Sequence, residues 1–195
     1  MTRVIGLTGQ TGSGKSAVRE ILEKSEIACI DCDRISRDVT AVGSPALKAV
    51  CEAFSSDVLT PEGALDRKKL GSIVFSDKEK LQLLNRTIFP FIIDEIKRRI
   101  SECEGLVVLD APTLFESGCD RLCDLKVAVV ADKKLRLERI TARDGISYQD
   151  AENRIGSQLS EEFFRQNCDV VIENNGSLSA LEEEVKKLVK EWRRV

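Results

Sequence analysis

The chain has 195 residues, 42% of them hydrophobic, and its 30 basic and 33 acidic side chains leave a formal net charge of −3. That length suits one compact domain with a real core, and the near-balance of charge argues against a nucleic-acid or anionic-membrane partner. Histidine is absent, which excludes a histidine general base, a histidine-containing zinc site and a Ser-His-Asp triad.

The start, Met1-Thr2-Arg3-Val4-Ile5-Gly6-Leu7, meets a glycine-rich loop before any long apolar run develops. No signal peptide is expected, and no stretch approaches the roughly 20 apolar residues of a membrane span. A soluble, cytoplasmic protein is the expectation. Val4 to Leu7 reads as a buried strand, and Ser16 to Glu23 as a helix with Val18, Ile21 and Leu22 on its apolar side. Ile27 to Ile30 reads as a second strand, stopped by Asp31-Cys32-Asp33. Ala46 to Phe54 should be helical behind Ser44-Pro45. Leu81 to Ile100 should be two helices divided at Pro90, because proline lacks the amide a helix interior needs. Leu106 to Leu109 is a third strand closed by Asp110, Val127 to Val130 a fourth, and Val170 to Ile172 a fifth. Lys133 to Arg143, Ser147 to Gln158 and Leu178 to Arg194 are the remaining helical stretches.

Each strand is a continuous apolar run, the mark of strands covered on both faces and so of a parallel sheet between helices. The order gives an α/β doubly wound fold. The interval between the second and third strands, 34–105, is too long for one crossover helix and should carry a helical subdomain. Seven cysteines, an odd number scattered through the chain, do not read as a disulfide framework. The Cys29/Cys32 pair reads as two small buried side chains, since no second such pair exists to complete a metal site.

Gly9-Gln10-Thr11-Gly12-Ser13-Gly14-Lys15-Ser16 fits Gly-x-x-x-x-Gly-Lys-(Ser/Thr) in full, between a strand and an amphipathic helix. Glycines let successive backbone amides turn inward on phosphate oxygens, and the helix N-terminus adds its partial positive charge. Lys15 would reach the β- and γ-phosphates and the Ser16 hydroxyl would ligate Mg²⁺. ATP with magnesium is the expected ligand. Asp31 and Asp33 stand at the end of the second strand, where ligands bind in open α/β sheets. Asp33 is either a general base for an attacking hydroxyl or a cap for the helix near Arg34. Asp31 is the more structural of the two. Asp110 resembles the strand-end aspartate that helps hold Mg²⁺ in such sites, the alternative being a polar strand terminus without a metal.

Several segments together closely resemble the dephospho-coenzyme A kinases. They are Gly6-Leu7-Thr8-Gly9 with the loop, Ile30-Asp31-Cys32-Asp33, Gly63-Ala64-Leu65-Asp66-Arg67, Val74-Phe75 and Asp110-Ala111-Pro112-Thr113-Leu114-Phe115-Glu116. Arg139, Arg143, Gln158 and Asn174-Asn175-Gly176 complete the match. The resemblance implies a three-layer P-loop kinase fold with a parallel five-stranded sheet, an acceptor-binding helical insertion at 34–105 and a mobile lid at 132–160. It implies ATP-dependent phosphorylation of the ribose 3′-hydroxyl of dephospho-CoA. In that reading Asp33, Lys15 and Arg139 are catalytic. Gly9, Gly12, Ser13, Gly14, Lys15, Ser16, Ala17, Arg139, Arg143 and Asn174 bind ATP. Asp33, Arg67, Leu114 and Glu116 bind the acceptor, and Ser16 and Asp110 hold the metal. The partners are small molecules, ATP and dephospho-CoA, and a monomer or weak homo-oligomer is expected. Phe89-Pro90 stands where the family usually has His-Pro, and Gln10, Thr11 and Ala17 depart from its usual loop at positions without an obligatory contact. The rival readings are another P-loop nucleoside or nucleotide kinase, and a nucleotide-binding switch with no acceptor; the Asn-Lys-x-Asp motif of a GTPase is absent.

Overall fold

The computed structural model describes residues 2–74 and 76–194. Five strands form one parallel sheet: β1 (Arg3–Gly9), β2 (Ala28–Asp31), β3 (Leu106–Asp110), β4 (Leu125–Val130) and β5 (Val170–Glu173), in the order β2-β3-β1-β4-β5. The helices are α1 (Lys15–Lys24), α2 (Cys32–Asp38), α3 (Pro45–Phe54), α4 (Arg67–Val74), α5 (Lys78–Ser101), α6 (Lys133–Asp144), α7 (Tyr148–Gly156), α8 (Glu161–Asn167) and α9 (Leu178–Trp192). The chain divides into two compact units, residues 31–102 and the remainder.

In the sheet unit the central strand β1 runs between β3 and β4, so the chain reverses its direction of winding on either side of it. Register sets Leu7 beside Asp110 and Gly9 beside Val129. The loop after β1 therefore opens at the carboxyl edge, next to the acid that ends β3, the place where open α/β sheets bind ligands. Apolar faces of α1 and α9 close one side of the sheet: Val18, Ile21 and Leu22 meet Val185, Val189 and Trp192 over Ile5, Val108 and Val127. A separate small cluster joins α6 and α7 through Leu137, Ile140 and Ala151, with Ile146 and Ile155 against them. Ser147, Ser160 and Ser177 each cap the helix that follows, accepting from the backbone amide three residues on.

The unit 31–102 is helical, with α5 as its longest element. Contrary to the sequence expectation, α5 runs unbroken through Pro90. Pro90 lies on the exposed side of the helix, while Ile88, Ile92 and Ile96 are buried on the other. Four-residue spacing of these side chains holds the helix to its neighbours across the missing hydrogen bond. The helix α8 was not legible in advance, and α7 is shorter than expected, ending at Gly156. Phe75, quoted in the resemblance, lies outside the described residues, as do Met1 and Val195.

Candidate active site

The phosphate loop is built by short-range constraints. Gly14 has φ 92° and caps α1 in the left-handed region, and Gly12 has φ 76°. A Cβ on Gly14 would stand 2.0 Å from the Asn174 amide nitrogen, and one on Gly9 would stand 2.4 Å from the Val129 carbonyl. Both positions need glycine, for backbone conformation and for space together. The Ser13 amide closes a turn on the Gln10 carbonyl at 3.1 Å.

The carbonyls of the loop are held from outside. The Ser13 carbonyl accepts from Asn174 Nδ2 at 2.8 Å and from Arg139 Nη1 at 3.4 Å, and the Gly12 carbonyl accepts from Arg139 Nη1 at 3.3 Å. Arg139 Nη2 also donates to the Asn174 carbonyl at 3.1 Å. In a trans peptide the N–H points opposite the C=O of the same plane. A Ser13 carbonyl tied outward therefore turns the Gly14 amide inward, as phosphate binding by a loop requires. Asn174 is buried at 8% exposure, and its neighbour Asn175 exchanges two hydrogen bonds with Asp132 ahead of α6. The Asn-Asn-Gly segment thus ties the loop to the start of α6.

Lys15, on the first turn of α1, forms an ion pair with Asp110. Arg19, one turn further along the same face, donates to the other Asp110 oxygen at 3.2 Å. Asp110 is 4% exposed, and burying that carboxylate requires such cationic partners. Arg19 was missed from the sequence, although its i,i+4 spacing from Lys15 is a usable signal. Ser16 and Ala17 occupy the same first turn, Ser16 exposed. The hydroxyl of Ser16 and the carboxylate of Asp110 are hard oxygen donors of the kind Mg²⁺ takes. Among the described residues no group of three or more cysteines or acids could cage a metal.

Arg136, on the same helix as Arg139, is 3% exposed. Its Nε donates to the Thr11 carbonyl at 3.0 Å and its Nη1 to Gln10 Oε1 at 2.7 Å. Gln10 is itself buried at 6% exposure. So Gln10 and Thr11, expected to have no obligatory contact, are anchored. The i,i+3 spacing of Arg136 and Arg139 marks a shared helix face, but their burial depends on carbonyls distant in sequence. Arg143 is not brought to the loop: it is held by Asp144 through bonds of 2.7 and 2.8 Å. An adjacent carboxylate offers a bidentate partner, and one further helical turn carries Arg143 past the loop. Leu114 is fully buried over Gly6, where a Cβ would stand 2.9 Å from it, so its side chain packs in the core. Glu116, two residues on, is exposed.

In the unit 31–102, Asp31 accepts the Arg34 amide at 2.9 Å and is the N-cap of α2. Asp33 is exposed in the first turn, where the helix dipole favours an acid. Arg67 opens α4 and donates to Thr40 Oγ1 at 2.7 Å. Partial burial, and then the nearby Arg37 charge, hold its pKa below the ordinary guanidinium value. A cavity of about 280 Å³ lies beside Arg67, lined by Leu70, Val74, Leu84, Ile88 and Phe89.

A sequence model of the family described as dephospho-CoA kinase matches residues 3–180. A dephospho-CoA kinase of Enterococcus faecalis is 37% identical over 194 residues, 98% of each chain. Among solved structures, one from Thermus thermophilus superposes with a TM-score of 0.85 at 31% identity, covering 97% of both chains. A dephospho-CoA kinase from Campylobacter jejuni gives 0.75 at 28% identity, covering 100% of this chain and 98% of that one. By fold, by loop and by this likeness over nearly its whole length, the chain belongs to the dephospho-CoA kinase family.

Proposed function

We propose that this chain transfers the γ-phosphoryl group of ATP to the ribose 3′-hydroxyl of dephospho-CoA, the last step of coenzyme A synthesis. The observation that carries the reading is the braced loop. Lys15 and Ser16 stand at the start of α1, with the Gly14 amide turned inward by the bonds on the Ser13 carbonyl. Catalysis of phosphoryl transfer is mainly positioning and charge stabilisation. Lys15 and the loop amides would hold the donor phosphates, and Arg139 would meet the charge that spreads over the transferred group. Ser16 and Asp110 would hold Mg²⁺, which when bound supplies charge neutralisation on the phosphate oxygens. Asp33 would accept the proton of the attacking hydroxyl, a carboxylate doing the work that a chain without histidine cannot give to imidazole. Arg67 and Glu116 are assigned to the acceptor.

The segment 132–160 is assigned as the lid. Its own small core lets α6 and α7 behave as a piece, and water must be kept from competing as acceptor. Among the described residues no helix is long and apolar enough to cross a membrane. A cytoplasmic enzyme, monomeric or weakly associated, is the assignment that goes with small-molecule substrates.

Purified protein with Mg-ATP should release ADP rapidly when dephospho-CoA is added. Coupled measurement of ADP with adenosine, AMP or water in its place should give less than about a hundredth of that rate. Equal rates with any of these would overturn the assignment.

A further inference from the structure

Four hydrogen bonds join the first half of the phosphate loop to chain far away in sequence. Arg136 holds the Thr11 carbonyl at 3.0 Å and the Gln10 side chain at 2.7 Å. Gln10 Nε2 donates onward to the Leu159 carbonyl at 3.1 Å. The Thr11 amide donates to Gln158 Oε1 at 2.8 Å. Both faces of the Thr11 backbone are therefore fixed, one by α6 and one by the connection between α7 and α8. Space is as tight as the bonding: a Cβ on Gly12 would lie 2.8 Å from the Arg136 carbonyl. Arg136 carries its charge inside the fold, at 3% exposure, and its Nη2 is buried without a hydrogen-bond partner. Burial of a guanidinium is costly unless something is gained from its position.

We propose that Gln10 and Arg136 are a positioning pair for the nucleotide: they fix the Thr11 peptide so that the Gly12 amide faces into the loop, and they tie that orientation to the 158–159 segment. The argument is the planarity of the peptide. With the Thr11 carbonyl tied to Arg136, the Gly12 N–H on the same plane must point the opposite way. Gln10 completes the geometry by occupying the second donor of the guanidinium and passing the connection to Leu159. Preorganised amides bind phosphate without first reorganising. Loss of either partner should therefore weaken nucleotide binding even though neither side chain touches it.

The inference rests on the kinase reading only for the identity of the nucleotide, so its test is made without an acceptor. Titration calorimetry with ADP is run on the full chain, alongside Gln10→Ala, Arg136→Gln and the double variant. Each single change should weaken ADP about tenfold, and the double change should be no weaker than the worse single one, because partners in one network are not additive. Arg136→Lys keeps the charge but lacks the planar fork that sets Nε on the Thr11 carbonyl and Nη1 on Gln10, so it should be as weak as Arg136→Gln. Kinase assays should show KM for ATP raised and KM for the acceptor unchanged within about twofold.

Unchanged ADP affinity with a lowered melting temperature would make the pair a structural brace and overturn the proposal. Full affinity in Arg136→Lys would make it a charge effect, with the same consequence. If Arg136→Gln does not fold, Gln10→Ala and Gln158→Ala carry the test: the first removes the Arg136 Nη1 partner and the tie to Leu159, the second frees the Thr11 amide, each should weaken ADP, and wild-type affinity in both would overturn the proposal. Should the wild-type chain bind ADP but leave dephospho-CoA untouched, the functional reading fails while this test still reads.

Discussion

Asp31 and Asp33 lie two residues apart, and the geometry divides their labour. Asp31 caps α2 through the Arg34 amide, whereas Asp33 is exposed one position into the helix. Losing a side-chain cap costs a helix about 1 kcal/mol, while losing a general base slows a reaction by about 100-fold to 10,000-fold. Asp31→Ala should therefore lower stability in a denaturant titration with kcat nearly intact. Asp33→Asn should keep ADP affinity and stability, and lose at least about 100-fold in kcat. Near-wild-type turnover in Asp33→Asn would leave the reaction without its assigned base. Spacing alone leaves base and cap open for Asp33 and favours Asp31 as the structural acid, because capping is a matter of backbone angle. Asp31 has φ −84° and ψ 107°, the extended conformation a cap requires.

Continuous apolar runs made all five strands legible, and the Gly-Lys-Ser signature fixed the loop and α1 between them. What stayed hidden was set by distant partners. Arg136 and Arg19 carry no signal beyond helical spacing in the sequence, because the carbonyls and the buried carboxylate that hold them are distant in the chain. The burial of Leu114 over Gly6 is set by distant chain as well. Pro90 misled for the opposite reason. A local rule was applied where packing overrides it, since Ile88, Ile92 and Ile96 hold α5 in one piece. The override leaves a measurable cost. A proline in a helix interior is about 3 kcal/mol worse than alanine in host helices, and exposed Pro90 has little packing to lose. Pro90→Ala should restore the hydrogen bond to the Arg86 carbonyl and stabilise the protein by about 1–3 kcal/mol. Urea denaturation checks this, and a loss of stability would mean that Pro90 is itself required by the packing of α5.

The response of the entire molecule to pH follows from which groups its fold perturbs. On the acid side, hydrogen bonds from Arg98 and then Arg99 hold Glu95 down to about 2. Asp144 is likewise held to about 2, chiefly by Arg143 and also by Arg154. A carboxylate with a depressed folded pKa contributes stability above its unfolded value, and that contribution disappears as pH falls through the folded one. Stability should thus decline from about pH 4.5 towards pH 2. On the alkaline side, burial pushes the Cys29 and Cys123 thiols up to about 12 and Cys168 to about 11. These raised values act in the opposite sense: the contribution of the neutral thiols is intact below the ordinary thiol range and is lost as pH rises towards 11–12. Between the two limbs the chain has no histidine, the side chain that ordinarily titrates near 6.5. Calorimetric melting temperatures at pH 6, 7 and 8 should therefore agree within about 2 °C. They should drop below about pH 4 and again above about pH 9.5. A step between pH 6 and 8 would require the α-amino group, whose ordinary value lies in that window, or a strongly shifted side chain, and it would overturn the expectation of a flat neutral plateau in a histidine-free chain.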